Sequence, residues 1–139
     1  MQTTALTKKQ LLHEVASNYV LKGLGGKSFS AIPYHKDVVL RAPVCPGGSQ
    51  NPLRGKEVLR TKWWAPLLSL IGGVEIVDSY VNSDETAVTV EFRCHITQPA
   101  CTLRIVDRFF VNKDGEITAQ ENFFDPRNVT NPGWQRFKF

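Results

Sequence analysis

From Val74 onward the chain reads as strand after strand. Val74 to Asn82, Thr86 to Thr97, Cys101 to Asn112 and Glu116 to Phe124 are separated only by short connections rich in turn residues. Successive side chains of a strand point to opposite faces, so such a run predicts an antiparallel meander with one covered face. Ahead of it lie two helical patterns. Thr7 is placed to cap the first, with Gln10 as its reciprocal partner. Leu11, Leu12, Val15, Ala16, Tyr19 and Val20 then form one apolar stripe, which Gly23, Gly25 and Gly26 end. Helices followed by a run of strands make an α+β chain, a curved antiparallel sheet wrapped around N-terminal helices.

Between the two helical patterns, Ser28 to Tyr34 is a short segment broken by Pro33, and Asp37 to Ala42 is a strand through Val38, Val39 and Leu40. Pro43 to Pro52 is a proline- and glycine-rich loop. Lys56 to Leu70 is the second helix, with Pro66 placed to kink it. Trp63 and Trp64 are adjacent, so only one can face inward, and Trp63 fits the apolar stripe.

The chain has 139 residues, enough for one core, and residues 1–139 are expected to form a single domain with 126–139 as a tail packed on it. A net charge of +4 without a basic cluster predicts no nucleic-acid partner. The tail interleaves Trp134, Phe137 and Phe139 with Arg136 and Lys138, and is expected to cover the sheet or a cavity mouth. No apolar run is long enough for a membrane helix, and the polar start from Met1 to Lys9 does not resemble a secretion signal, so a cytoplasmic location is expected. Cys45, Cys94 and Cys101 are expected as free thiols, although a bridge between the last two is conceivable across a hairpin. No metal site and no cofactor are expected. The sequon at Asn128 is read as chance.

One residue breaks the pattern. Leu103, Ile105, Phe109 and Val111 share a strand face, as do Val88, Val90, Phe92, Cys94 and Ile96 on the strand before, and Asp107 stands in the middle of the former set. A charge on an apolar face costs several kcal/mol, and the usual escape is a partner or a raised pKa. Asp114-Gly115 signals a two-residue turn that pairs Lys113 with Glu116. That register sets Asp107 opposite Asn122, Phe109 opposite Gln120 and Ile105 opposite Phe124. On the other face it sets Arg108 opposite Glu121 and Arg104 opposite Asp125, favourable cross-strand charge pairs. A three-residue loop would slip the pairing by one, facing Asp107 with Glu121 and turning Ile117, Ala119 and Phe123 to the core.

The order of elements, with Lys36-Asp37-Val38, Ala42-Pro43, Leu53-Arg54-Gly55 and the block from Ile105-Val106-Asp107-Arg108-Phe109 through Asp114-Gly115-Glu116-Ile117, resembles the SnoaL-like, nuclear-transport-factor-2-like superfamily. That resemblance implies a cone of curved sheet closed by helices, often dimeric. Within it, ketosteroid isomerase is the nearest mechanistic comparison, in which a tyrosine and a protonated aspartic acid polarise a carbonyl. Tyr19 matches that tyrosine, Asp107 that acid, and Tyr34 a supporting phenol. The position of the catalytic base is Ala42, and a second phenol position is Trp63. The Asp-Arg-Asp pattern of limonene-epoxide-hydrolase-like enzymes is also departed from, since its last-strand position reads Asn122.

The expected site is therefore a small apolar pocket closed by Trp63, Phe92, Phe109 and Phe124, with Tyr19 and Asp107 at its polar end beside Tyr34 and Asn122. It would bind a small hydrophobic carbonyl or phenolic molecule, and isomerise, cyclise or dehydrate it. The alternative is a non-catalytic dimeric carrier or interaction domain using the outer sheet face at Val106, Phe110, Ala119 and Phe123. His35 is expected in a loop, with His13 and His95 facing outward.

Overall fold

The computed structural model describes residues 5–45, 47–98 and 100–128. The first helix, α1, spans Lys8–Asn18 and runs on as a π-helical stretch, Tyr19–Leu24. Its start is the expected capping box: Thr7 Oγ1 accepts from Gln10 N at 3.1 Å and Gln10 Oε1 accepts from Thr7 N at 2.9 Å. Leu12, Val15, Ala16, Tyr19, Val20 and Leu24 are buried. Gly25 N donates to Val20 O, five residues back, at 2.8 Å. The wider turn rotates less per residue, which keeps Tyr19, Val20, Gly23 and Leu24 on the covered side. Gly23 has to be glycine for space, because a Cβ there would stand 2.8 Å from Ile32 Cγ1.

Strands β1 (Tyr34–Arg41), β2 (Leu53–Arg54), β3 (Ile71–Val81), β4 (Ala87–Thr97), β5 (Ala100–Val111) and β6 (Ile117–Phe123) make one curved, unclosed sheet in the order β2-β1-β6-β5-β4-β3. The meander β3 to β6 is antiparallel as expected. β1 enters beside β6 in parallel, with Leu40 against Gln120 and Arg41 against Glu121, so the sheet is mixed. The inner faces of β4 and β5 are the two apolar sets read from the sequence, and the helices cover them.

The second helical region is α2 (Lys56–Val58), a π-helical stretch Leu59–Trp64 and α3 (Ala65–Leu67). Pro66 has no N–H to donate back along the helix. Ahead of it, Ala65 N reaches Arg60 O, five residues back. This changed pitch corrects the expectation for the tryptophans. Trp64 is the buried one, packed 5.7 Å from Phe29 between ring centroids, while Trp63 is half-buried.

The β5–β6 hairpin combines both registers that the sequence allows. Asn112 N donates to Glu116 O at 2.9 Å across a three-residue loop, where Gly115 takes φ +79° and Asn112 Oδ1 accepts from Asp114 N and Glu116 N. A two-residue turn is therefore not formed. Val111 then pairs with Ile117, but Phe110 pairs with Ala119, so Thr118 is a bulge. The extra residue undoes the slip, leaving Asp107 opposite Asn122, Phe109 opposite Gln120 and Arg108 opposite Glu121. Ile117 and Gln120 consequently both point inward.

On the outer face Arg108 Nη2 meets Glu121 Oε1 at 3.3 Å, with its guanidinium 5.4 Å from the Phe110 ring and 5.6 Å from that of Phe123. Those rings are 41% and 43% exposed. The expected Arg104–Asp125 pair is not made, because strand pairing ends at Val106–Phe123 and Asp125 instead holds Arg127 at 2.8 Å. No helix among the described residues is long and apolar enough to cross a membrane. The tail beyond Asn128, including Trp134, Phe137 and Phe139, lies outside the described residues, as does the rest of the sequon.

Candidate functional site

Three elements bring a polar cluster together inside the apolar core. Tyr19 comes from the first turn of the π-helical stretch, Asp107 from the middle of β5, and Gln120 and Asn122 from alternate positions of β6. Tyr34 opens β1. All five are buried, and Asp107 is only 1% exposed. The bulge at Thr118 is what turns the two amides inward, and the parallel seat of β1 beside β6 brings Tyr34 to them.

The cluster is one hydrogen-bonded chain. Tyr34 Oη donates to Gln120 Oε1 at 2.6 Å. Gln120 Nε2 donates to Tyr19 Oη at 3.1 Å and to Asn122 Oδ1 at 2.8 Å. The amide atom of Asn122 that takes this bond also stands 2.9 Å from Asp107 Oδ1 and 3.3 Å from Oδ2. With the Asn122 oxygen on that side, a protonated Asp107 can donate to it; with the amide turned, its N–H instead meets an ionised Asp107 carboxylate.

Electrostatics favour the first. Removal from water raises the Asp107 carboxyl well above the ordinary carboxylate range, only partly opposed by hydrogen bonding to Tyr19. Burial likewise raises Tyr19 and Tyr34, and the neighbouring Asp107 pushes both further up. Burial thus favours the protonated form of all three groups.

Tyr19, Asp107 and Asn122 form part of the wall of a cavity of about 100 Å³. Trp63, Phe92 and Phe124 also line it, so six of the expected site residues surround one space. Phe109 does not: it lies behind Tyr19, with ring centroids 4.8 Å apart, and supports that ring from the core. Tyr34 also stands away from the cavity wall and reaches it through Gln120. Ala42 is buried where the resemblance would place a base.

Gln120 was not singled out from the sequence, although the pairing of Asp107 with Asn122 already implies that it faces inward. Cys94, also on the cavity wall, is a free thiol pushed up to about 11, chiefly by burial. It is no nucleophile near neutral pH. His35 accepts from Asp37 N and His95 lies between Glu75 and Thr102 on the outer face. His13 is less outward than expected: its Nδ1 meets Ser79 Oγ at 2.6 Å and docks α1 on β3. Among the described residues no group of three His, Cys, Asp or Glu side chains is placed to hold a metal ion.

Comparison with known proteins places this fold. The epoxide hydrolase/cyclase-like enzyme SalBIII, of pyran ring formation in polyether salinomycin, superposes with a TM-score of 0.72 at 15% identity over 88% of this chain and 97% of its own. A steroid delta-isomerase from Pseudomonas aeruginosa gives 0.66 at 18% identity over 93% and 88%. A protein of unknown function with a cystatin-like fold from Methylobium petroleophilum gives 0.68 at 15% identity over 87% and 79%. At such identities the likeness is one of fold. No curated protein matched the sequence significantly. The SnoaL-like domain family matches residues 28–120, from the short segment before β1 to the inward amide of Gln120. This chain belongs to the SnoaL-like domain family.

Proposed function

We propose that this protein binds a small hydrophobic molecule in the cavity and polarises its carbonyl or phenolic oxygen with Tyr19 and Asp107. The observation that carries the reading is the buried Asp107 at the end of a wall made mostly of Trp63, Phe92, Phe124 and aliphatic side chains. Walls of this kind bury a ligand's apolar surface, while a few placed donors fix its orientation. Asn122 shares that polar end, and Phe109 and Tyr34 support it from behind.

Among the described residues Asp107 is the only carboxyl on the wall, and no imidazole lines it. An isomerase that moves a proton between carbons needs a base beside its polarising pair, and Ala42 provides none. General-acid chemistry fits better, because a neutral carboxyl can hand its proton to an oxygen leaving carbon in a cyclisation or dehydration. The shared fold of SalBIII, named as an epoxide hydrolase/cyclase-like enzyme, supports this reading. No cofactor enters this reading, and its three free thiols accord with a reducing compartment such as the cytoplasm. The exposed Phe110 and Phe123 rings around Arg108 supply a surface for a second copy, and a homodimer is part of the proposal.

The test is calorimetric binding of acetophenone, a small aromatic ketone. Tyr19→Phe and Asp107→Leu should each weaken it by about 1–3 kcal/mol. Unchanged affinity in both variants refutes the assignment.

A further inference from the structure

We infer that Gln120 is a positioning residue that ties the proton on Asp107 to the direction of the Tyr19 hydroxyl, so that Tyr19 is held ready to donate into the cavity. This rests on the reading of the cavity as a ligand site, and it names the residue that keeps the polar end of that site in its donating state.

The inference follows from counting donors and acceptors. Gln120 has two N–H bonds and both are used, one on Tyr19 Oη and one on Asn122 Oδ1. Its oxygen is occupied by the Tyr34 hydroxyl. With Tyr19 Oη already accepting, the Tyr19 proton is free to point at Asp107 or into the cavity. With Asn122 presenting oxygen to Asp107, the carboxyl has to carry a proton.

Consider the opposite state, with Asp107 ionised. Asn122 would turn its N–H toward the carboxylate, but turning it alone sets that N–H against the N–H of Gln120, 2.8 Å away. Both amides must therefore turn together. Gln120 would then offer its oxygen to Tyr19 and its N–H to Tyr34, and the buried Tyr34 proton would lose its only acceptor among the described residues. A buried donor without a partner is costly. The two amides thus make the proton on Asp107 and the direction of the Tyr19 hydroxyl a single two-state unit, and Tyr34 biases it toward the donating state.

The groups that face Asp107 do not rival this control. The first helical region contributes Tyr19, β1 contributes Tyr34 and β4 contributes the Cys94 thiol. All three are uncharged near neutral pH, and β6 presents only the two amides. Among the described residues no cation is in position to stabilise an ionised Asp107. In the donating state Tyr19 is free to turn its O–H into the cavity, the single Asp107 O–H is held on Asn122, and the amide oxygens of Asn122 and Gln120 are occupied.

The experiment is carbon-13 NMR of the full chain labelled at aspartate carboxyls, with the Asp107 signal assigned by its loss in Asp107→Asn. In the wild type Asp107 should titrate well above the other aspartates. In Gln120→Met the Asn122 amide is released, and the Asp107 midpoint should fall by at least one pH unit while the other aspartates are unmoved. Tyr34→Phe, the milder change, should shift it in the same direction and covers the case in which Gln120→Met does not fold. A folded variant of either kind with an unmoved Asp107 midpoint overturns the inference. Binding gives the second readout: the wild type should bind acetophenone, and Gln120→Met should weaken that binding roughly tenfold. Equal affinity of the wild type and a folded Gln120→Met also contradicts it. Absence of wild-type binding counts against the cavity as a ligand site, and the carboxyl titration still judges the role of Gln120.

Discussion

Replacing Asp107 by asparagine should make the protein progressively more stable than the wild type as pH rises. The Asn122 amide lies 2.9 Å from Asp107 Oδ1, and an asparagine amide at 107 can replace a protonated carboxyl in that contact, so at acid pH the two proteins should differ little. The wild-type carboxyl is held above its unfolded value by burial. Between the unfolded aspartate value, about 3.9, and the raised folded value, the native state binds a proton that the unfolded state has released. Stability then falls with pH, by about 1.4 kcal/mol for each pH unit in that window. Asparagine has no proton to release and escapes this loss, whereas every other titrating group acts equally in both proteins. Urea unfolding of both proteins at a series of pH values gives the difference directly. A difference growing in favour of Asp107→Asn, then levelling above the folded value, is expected. Parallel curves, or a wild type that gains on the variant as pH rises, would mean an ionised and stabilised Asp107 and would refute the reasoning.

Two further outcomes are expected. Trp64→Ala should cost about 3–5 kcal/mol of stability, as for a core tryptophan, while Trp63→Ala should cost clearly less and weaken acetophenone binding instead; urea unfolding and calorimetry on the same samples separate them. Phe123→Asp puts a charge into the exposed aromatic face, so under the proposed dimer sedimentation should give a dimer for the wild type and a monomer for the variant, with the cavity's binding retained.

Much of this was legible locally. The alternation in 86–97 and 101–112 shows which face is covered, and the same alternation makes Asp107 conspicuous. Thr7 and Gln10 display their capping box in three residues of spacing. What escaped is what local periodicity does not carry. The bulge at Thr118 breaks the period of two, and so places Ile117 and Gln120 on the same side when strict alternation separates them. The π-helical pitch before Pro66 puts Trp64, rather than Trp63, into the core. The parallel pairing of β1 with β6 joins residues some eighty positions apart, and only that pairing brings Tyr34 to Gln120. Asp125 was matched to Arg104 by counting along an ideal ladder, but the ladder ends first and Arg127 lies nearer in the chain.

The central claim is that Tyr19 and Asp107 are the polar end of a ligand cavity. A crystal of the protein soaked with 4-bromoacetophenone tests it directly, because bromine can be located by anomalous scattering. The account predicts the ketone oxygen within hydrogen-bonding distance of Tyr19 Oη and the Asp107 carboxyl, with the bromine between Trp63 and Phe124. Bromine found only on the outer sheet face, or the ring reversed with its ketone away from Asp107, would contradict it.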